Sequence, residues 1–420
     1  MLISASLIVV LAFSFLTAQL FLQQTPTQAS VTSIPYIGIA FAGNTTDQAI
    51  TQIDRAKNYT NLFILDTGRN PLSRNQTAVY EVADYAVANG LSIILNLGIS
   101  DPHENDSTIW FWGQPMIDVK QNFTERWGSK FLGIYDNDEP GGIQLDGDWE
   151  RFFTNFAQSL SRYNTTAMQH LDVIYNKMQA FQANASTPDN YDLEANFFIQ
   201  DVLIEGDLGL AALKEAGITT FTSDYGLYWF DYLGGYDVMF AELGWNASVA
   251  QQIGLVKGAA RLMDKEWGAM ITWKYMGHPF LDTPENIYKQ MLAAYQAGAK
   301  YITIFDFSRA GNNTSYAMTD KYYTMMEIFW NDIHNKTYAD LSGAEAALVL
   351  PANYGWGMRN PDDTIWGFWG ADKKTLQIAT VMYSLLEEYS VKLDIVYEDS
   401  AYPVTRGGYR QIFYWNSSEV

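Results

Sequence analysis

Short runs that are apolar on both faces recur along the chain, each followed by a longer stretch with helical spacing. They are YIGIAF (36–41), NLFILD (61–66), LSIILNLG (91–98), KFLGIYDND (130–138), TTFTSDY (219–225), YDVMFAEL (236–243), GAMITWKY (268–275) and KYITIFDF (300–307). Runs rich in β-branched and aromatic residues, with no polar face, are what parallel strands become when helices cover the sheet. The stretches between them, such as TAVYEVADYAVANG (77–90) and TPENIYKQMLAAYQAG (283–298), predict helices. The second opens on Thr283 as N-cap with Pro284 in the first turn. Gly90, Gly217 and Gly298 each stop a helix just before a strand.

Eight strands alternating with helices close most simply into a (β/α)8 TIM barrel, assigned to residues 30–340. The spacing is irregular twice. The segment 146–217 must hold extra helices, and the fifth and sixth runs are joined only by the aromatic GLYWFDYLGG. Residues 195–203 (ANFFIQDVL) read as part of an amphipathic insertion helix; as a strand they would break the count of eight. After the barrel, AALVLP (346–351), TLQIATVMYSLLEEYS (375–390), KLDIVYED (392–399) and YRQIFYWN (409–416) predict a small three-layer α/β domain over 341–420, flavodoxin-like or amidotransferase-like in outline. It carries no Gly-rich phosphate loop and no nucleophile elbow, but it does carry a long aromatic segment, 353–372.

Composition narrows the chemistry. A net charge of −21 repels nucleic acid and anionic lipid. With no cysteine, disulfides and thiolate metal sites are excluded. The four histidines (His103, His170, His278 and His334) include no two at helical ligand spacing, so no histidine metal site is expected; calcium on carboxylates stays open. No charged side chain precedes Asp47, and residues 2–22 form an apolar run of roughly membrane-spanning length. Residues 1–29 therefore read as an N-terminal membrane anchor or a cleaved signal peptide with its linker. Twelve of the 25 asparagines begin an N-x-S/T sequon: Asn44, Asn58, Asn75, Asn105, Asn122, Asn164, Asn184, Asn246, Asn312, Asn313, Asn335 and Asn416. That density points to an extracellular or cell-surface glycoprotein.

Function in such barrels sits at the C-terminal ends of the strands. Carboxylates gather there: Asp66, Asp136, Asp138, Glu139, Asp224, Glu242 and Asp306. Buried carboxylates are costly unless partnered, so their common address suggests one polar funnel. The aromatics Tyr135, Tyr225, Trp245, Trp273 and Tyr275 and the cation Lys274 lie beside them and make candidate sugar contacts. Each has a structural alternative. Asp66 and Asp224 can cap loops, Asp306 can pair with Lys274 or Arg309, and single aromatics can fill seams between helices and barrel.

In GIYDNDEPGG, Glu139-Pro140 follows the fourth strand. This resembles the Asn-Glu-Pro ending of strand four in many retaining glycoside hydrolases, where the glutamate is the general acid/base; here Asp138 stands in place of the asparagine. The same strand is partly similar to the chitinase type, with Gly133, Ile134 and Glu139 in place and Asn137 where a paired aspartate is expected. In the first of these families the nucleophile is a glutamate ending strand seven. Run seven ends Trp273-Lys274-Tyr275 instead, and Glu242 on run six is the nearest replacement. The resemblance to glycoside-hydrolase-type barrels covers residues 35 to about 340.

It implies a secreted or tethered hydrolase of extracellular or envelope polysaccharide. Of the residue roles it carries over only that of Glu139, the acid/base; the strand-end carboxylates themselves suggest Glu242 as the nucleophile or second carboxylate, and Asp136 and Asp306 as tuning partners. Asp66, Tyr135, Asp138, Asp224, Tyr225, Trp245, Trp273, Lys274 and Tyr275 would contact substrate, with no cofactor. Two alternatives stay open: a catalytically inactive carbohydrate-binding or envelope structural protein, and an aldolase-like lyase using Lys274 as a Schiff base.

Overall fold

A computed structural model describes residues 34–66, 72–73, 75–97, 101–102, 109–111, 114–147, 176–177, 180, 190–244, 247–275, 281–307 and 318–417. All eight apolar runs are strands of one closed parallel barrel. They are β1 (Tyr36–Ala42), β2 (Leu62–Asp66), β3 (Ser92–Asn96), β4 (Phe131–Tyr135), β5 (Thr220–Asp224), β6 (Val238–Leu243), β7 (Glu266–Thr272) and β8 (Tyr301–Phe307). Closure is made by β1 on β8, in register from Tyr36 opposite Tyr301 to Ala42 opposite Phe307.

The helices between strands begin where the sequence supplies caps. In α1 (Thr46–Ala56) Thr45 and Gln48 form a reciprocal capping box, and in α2 (Gln76–Ala88) Asn75 accepts from Ala78 N. Then follow α3 (Met116–Trp127) and α4 (Pro140–Leu145), the latter beginning directly after Glu139. The described part of the long insertion is helical, as the apolar spacing predicts. There α5 (Tyr191–Asn196) runs into a wider π-wound turn at Phe197–Ile204 that buries Phe197, Phe198, Val202 and Leu203, and α6 (Leu208–Glu215) leads into β5. The aromatic linker between the fifth and sixth runs folds as the buried α7 (Tyr228–Gly234). Next come α8 (Val249–Met263), α9 (Pro284–Gln296) and α10 (Asp320–Asn335). One element not foreseen is a small antiparallel sheet after β3, made of Asp101–Pro102, Ile109–Phe111 and Gln114–Pro115.

The C-terminal part is a parallel three-stranded sheet with β9 (Ala346–Leu350) at its centre, flanked by β10 (Leu393–Tyr397) and β11 (Gln411–Tyr414). Helix α11 (Lys373–Tyr389) is its own layer. The third layer is borrowed from the barrel, since α8 lies against β10. A Cβ on Gly254 would sit 2.9 Å from Leu393 O, and one on Gly258 2.8 Å from Ile395 O, so these glycines let helix and strand backbones meet. Buried Asp394 ties the same seam, accepting from Arg261 Nε at 2.7 Å with Lys257 Nζ at 3.1 Å. One hydrophobic cluster therefore runs from barrel helices into the C-terminal sheet.

Among the described residues no helix is long and apolar enough to cross a membrane, and no cluster of potential ligands is built to hold a metal ion. The apolar run 2–22 lies outside the described residues.

Candidate active site

Strand parity decides which strand-end residues meet. Successive side chains on a strand alternate between barrel interior and helix layer. The interior cluster includes Leu62 and Ile64 on β2, Tyr135 on β4, Phe221 on β5, and Val238 and Phe240 on β6. Two steps further along the same faces come Asp66, Ser223 and Glu242. Asp136, Asp224 and Asp306 have the opposite parity.

Glu139 is brought to the interior face by the turn after β4. Its backbone is left-handed (φ 52°, ψ 50°), as is that of Asn137 (φ 57°). Such conformations cost a non-glycine residue about 1 kcal/mol and persist only where surroundings impose them. The imposing residue is Asp224. Its fully buried carboxylate accepts from Gly141 N at 2.6 Å, Gly142 N at 3.0 Å, Tyr225 N at 2.7 Å and Gly226 N at 3.1 Å. It thus clamps the first turn of α4, while Glu139 N donates to Ser223 O at 3.1 Å. The Gly-Gly pair is required here. A Cβ on Gly141 would stand 2.8 Å from Leu227 Cβ, and one on Gly142 2.3 Å from the Tyr225 ring.

Held this way, Glu139 lies beside Glu242, close enough for each carboxyl to perturb the other. The charge of Glu242, then burial, then Asp138, push the Glu139 carboxyl up to about 10. Burial, then Asp138, raise Glu242 to about 8, while the hydrogen bond from Ser223 opposes the rise, as does Glu139. Two like charges so close cannot both persist, so at least one of the pair keeps its proton at neutral pH. The pair continues into a polar chain. Ser223 Oγ lies 2.5 Å from Glu242 Oε1 and 2.8 Å from Tyr135 Oη, and Tyr135 Oη lies 2.6 Å from Asp138 Oδ1. Asp66, which accepts from Asn96 Nδ2 at 2.8 Å, lies within electrostatic reach of Tyr135.

Other candidate residues lie elsewhere. Asp136 points into the helix layer beside Asp207 and Tyr236, where burial and then Asp207 raise its pKa well above normal. Asp306 accepts from Gln52 of α1 and from Met318 N at 3.4 Å; burial lifts it to about 6, and Lys274 counteracts the rise. Neither is brought to the Glu139–Glu242 pair, so neither tunes it by contact. Lys274 is buried and its pKa is lowered by that burial, with Asp306 opposing. Trp273 is packed in the wall with its ring 4.7 Å from that of Tyr322, and Tyr275 Oη donates to Asp282 Oδ2 at 3.0 Å. These two aromatics serve packing and loop anchoring instead of presenting an open sugar platform. Trp245 lies outside the described residues.

Tyr225 does border the pair, at the side where α4 ends. Its hydroxyl donates to Asp146 Oδ2 at 2.7 Å, and Glu139 lies within its electrostatic reach. Arg359, from the aromatic C-terminal segment, also binds Asp146 and stands 5.6 Å from the Tyr225 ring centre. Beside it, Gln144 Nε2 donates to Trp366 O at 2.8 Å and Thr364 Oγ1 donates to Leu145 O at 3.0 Å. Sequence reading missed Ser223, Asp146 and Arg359. Parity, counted from Phe221, was the available signal for Ser223.

No family model matches the chain, and no curated protein matches it. Solved structures do. Alpha-L-fucosidase isoenzyme 2 from Paenibacillus thiaminolyticus aligns with a TM-score of 0.44 and 13% identity, over 88% of this chain and 59% of the fucosidase. The catalytic module of a family 98 glycoside hydrolase from Streptococcus pneumoniae TIGR4 aligns with a TM-score of 0.45 and 10% identity, over 92% of this chain and 66% of the module. 3-Dehydroquinate dehydratase from Geobacillus kaustophilus HTA426 aligns with a TM-score of 0.33 and 11% identity, over 73% of this chain and 97% of the dehydratase. At these TM-scores the alignments carry no argument about this chain: the closed parallel barrel is read from its own strand order, and function must be argued from the site.

Proposed function

We propose that the protein is a glycoside hydrolase acting on polysaccharide, with Glu139 as general acid and Glu242 as the carboxylate that works on the anomeric carbon, directly or through water. The observation carrying this is the Glu139–Glu242 pair at the barrel mouth, where mutual charge and burial hold Glu139 protonated. Glycoside hydrolysis needs one protonated and one ionised carboxyl flanking the scissile bond. In such a pair a sugar would take its glycosidic oxygen to the Glu139 carboxyl and its anomeric carbon to the side of Glu242.

The test is reducing-end release from a polysaccharide panel by the wild type and by Glu139→Gln. Release that disappears in the variant supports the reading. No release from any member, with glycan binding retained in both proteins, would replace it with the non-catalytic carbohydrate-binding alternative.

We also propose that the chain is exported, residues 2–22 serving as anchor or signal, and that it is glycosylated. All six sequon asparagines among the described residues (Asn44, Asn58, Asn75, Asn122, Asn335 and Asn416) are exposed, as attachment requires. Protein made in a glycosylating secretory host is expected to drop in apparent mass after enzymatic removal of N-glycans. An unchanged mass would sink the glycoprotein reading.

A further inference from the structure

Three oxygen-to-oxygen contacts run in series from the site: Glu242 to Ser223 at 2.5 Å, Ser223 to Tyr135 at 2.8 Å, and Tyr135 to Asp138 at 2.6 Å. Each needs one proton between its oxygens. The hydroxyls of Ser223 and Tyr135 supply two. The third must come from one of the two carboxyls at the ends. It has two resting places, at the Glu242 end or at the Asp138 end of the hydroxyl chain.

We propose that Ser223, Tyr135 and Asp138 form a proton wire that carries the proton of Glu242 to the protein surface. The step is balanced. Glu242 gives its proton to Ser223 Oγ, Ser223 gives its own to Tyr135 Oη, and Tyr135 gives its own to Asp138 Oδ1. Three O–H bonds break and three form, leaving Glu242 ionised and Asp138 neutral. Asp138 is exposed and exchanges its proton with water, whereas Ser223 and Tyr135 are each only 1% exposed. Tyr135, Ser223 and Glu242 are the inward residues of three adjacent strands, β4, β5 and β6, so the barrel itself sets the spacing. A second donor, Ser223 N, reaches Tyr135 Oη at 3.2 Å and fixes the phenol.

The wire deepens the hydrolase reading and rests on it. Hydrolysis needs Glu242 ionised while Glu139 keeps its proton, and the burial that raises Glu242 to about 8 works against that state at neutral pH. A bound sugar covers the open side of the pair, so a path through the wall lets Glu242 lose its proton without substrate leaving. The charged and titratable groups that bear on Glu242 are Glu139 and Asp138 after β4, Asp224 on β5, Tyr135 and Tyr228.

Tyr135→Phe cuts the wire while keeping the ring, and Ser223→Ala cuts it independently should the first variant fold poorly. Each is expected to lower kcat at least about tenfold with KM within about twofold, as for loss of a proton-transfer group. The curved dependence of kcat on the deuterium fraction of the solvent should become linear. A readout without substrate is the infrared carboxyl band removed by Glu242→Gln. Its pH midpoint should fall by about one pH unit in Tyr135→Phe, because protonated Glu242 loses its chain of acceptors ending on Asp138. Unchanged kcat, curvature and midpoint would overturn the wire. If wild-type protein releases no sugar, the hydrolase reading fails by itself, and the infrared midpoint still decides whether Glu242 and Asp138 are linked through the hydroxyls.

Discussion

Glu139→Gln is expected to lower kcat on an unactivated glycoside by about three to four orders of magnitude while leaving thermal stability within about 0.5 kcal/mol of wild type. The amide keeps the shape and accepts where the acid accepted, but it has no proton to give to a leaving oxygen. A substrate whose leaving group needs no protonation should recover most of the loss in the same variant. That recovery separates loss of the acid from loss of the fold. The pair also predicts the pH profile. Glu242 must lose its proton, so activity rises through about 8, and Glu139 must keep its own, so activity falls as pH approaches about 10. kcat/KM should therefore be bell-shaped with its maximum on the alkaline side of neutrality. A profile peaking in acid would mean that other groups do the proton transfer.

The second large effect is expected at Asp224, which we place outside the reacting groups. Asp224→Ala removes the acceptor of four backbone N–H groups and leaves several of them buried and unpaired. A loss of about 3 kcal/mol in unfolding free energy is expected, read as a lower denaturation midpoint. Activity should fall about a hundredfold even where the variant remains folded, because the turn carrying Glu139 loses its main anchor and keeps only the Glu139 N to Ser223 O bond and the braces at the far end of α4. Asp224→Asn keeps one acceptor oxygen and should lie between the two. Stability and kcat both at wild-type levels in Asp224→Ala would show that α4 is seated without the clamp.

Both expectations rest on which way a strand-end side chain points, and that was the least legible feature of the sequence. The strands themselves were plain. All eight apolar runs lie in the barrel, and the C-terminal βαβ pattern is a parallel sheet. Direction was hidden for a physical reason. A strand buried on both faces is apolar on both, so it lacks the alternation that reveals parity in a half-exposed strand. Carboxylates at strand ends thus looked alike. Glu242 shares the inward face of Val238 and Phe240, whereas Asp136 follows the inward Tyr135 by one residue and turns outward. The same single step separates Ser223, in the polar chain, from Asp224, which clamps the helix beside it. Glu139 stood out because Glu139-Pro140 follows the fourth strand directly and resembles a known strand-four ending; what the two glycines after it do, allowing the close approach of Asp224 and Tyr225, is visible only in the structure. Asp146 and Arg359 were hidden because their meeting spans 213 positions of sequence and depends on how the C-terminal sheet docks.

That docking has a consequence for the order of events as the chain is made. All eight barrel strands are complete by Phe307, whereas the residues bracing α4 come from the segment around Arg359, Thr364 and Trp366. The Gln144–Trp366 contact closes a loop of 222 residues, among the slowest kinds of contact to form. The barrel can therefore close with Asp224 already holding the first turn of α4, while the far end of that helix, Gln144 to Asp146, still lacks its braces. Maturation of the site is separated in time from formation of the fold. Pulse-labelled hydrogen exchange during refolding should accordingly find the amide of Asp146, at the end of α4, protected after those of β1 and β8; protection at the same moment would contradict this order.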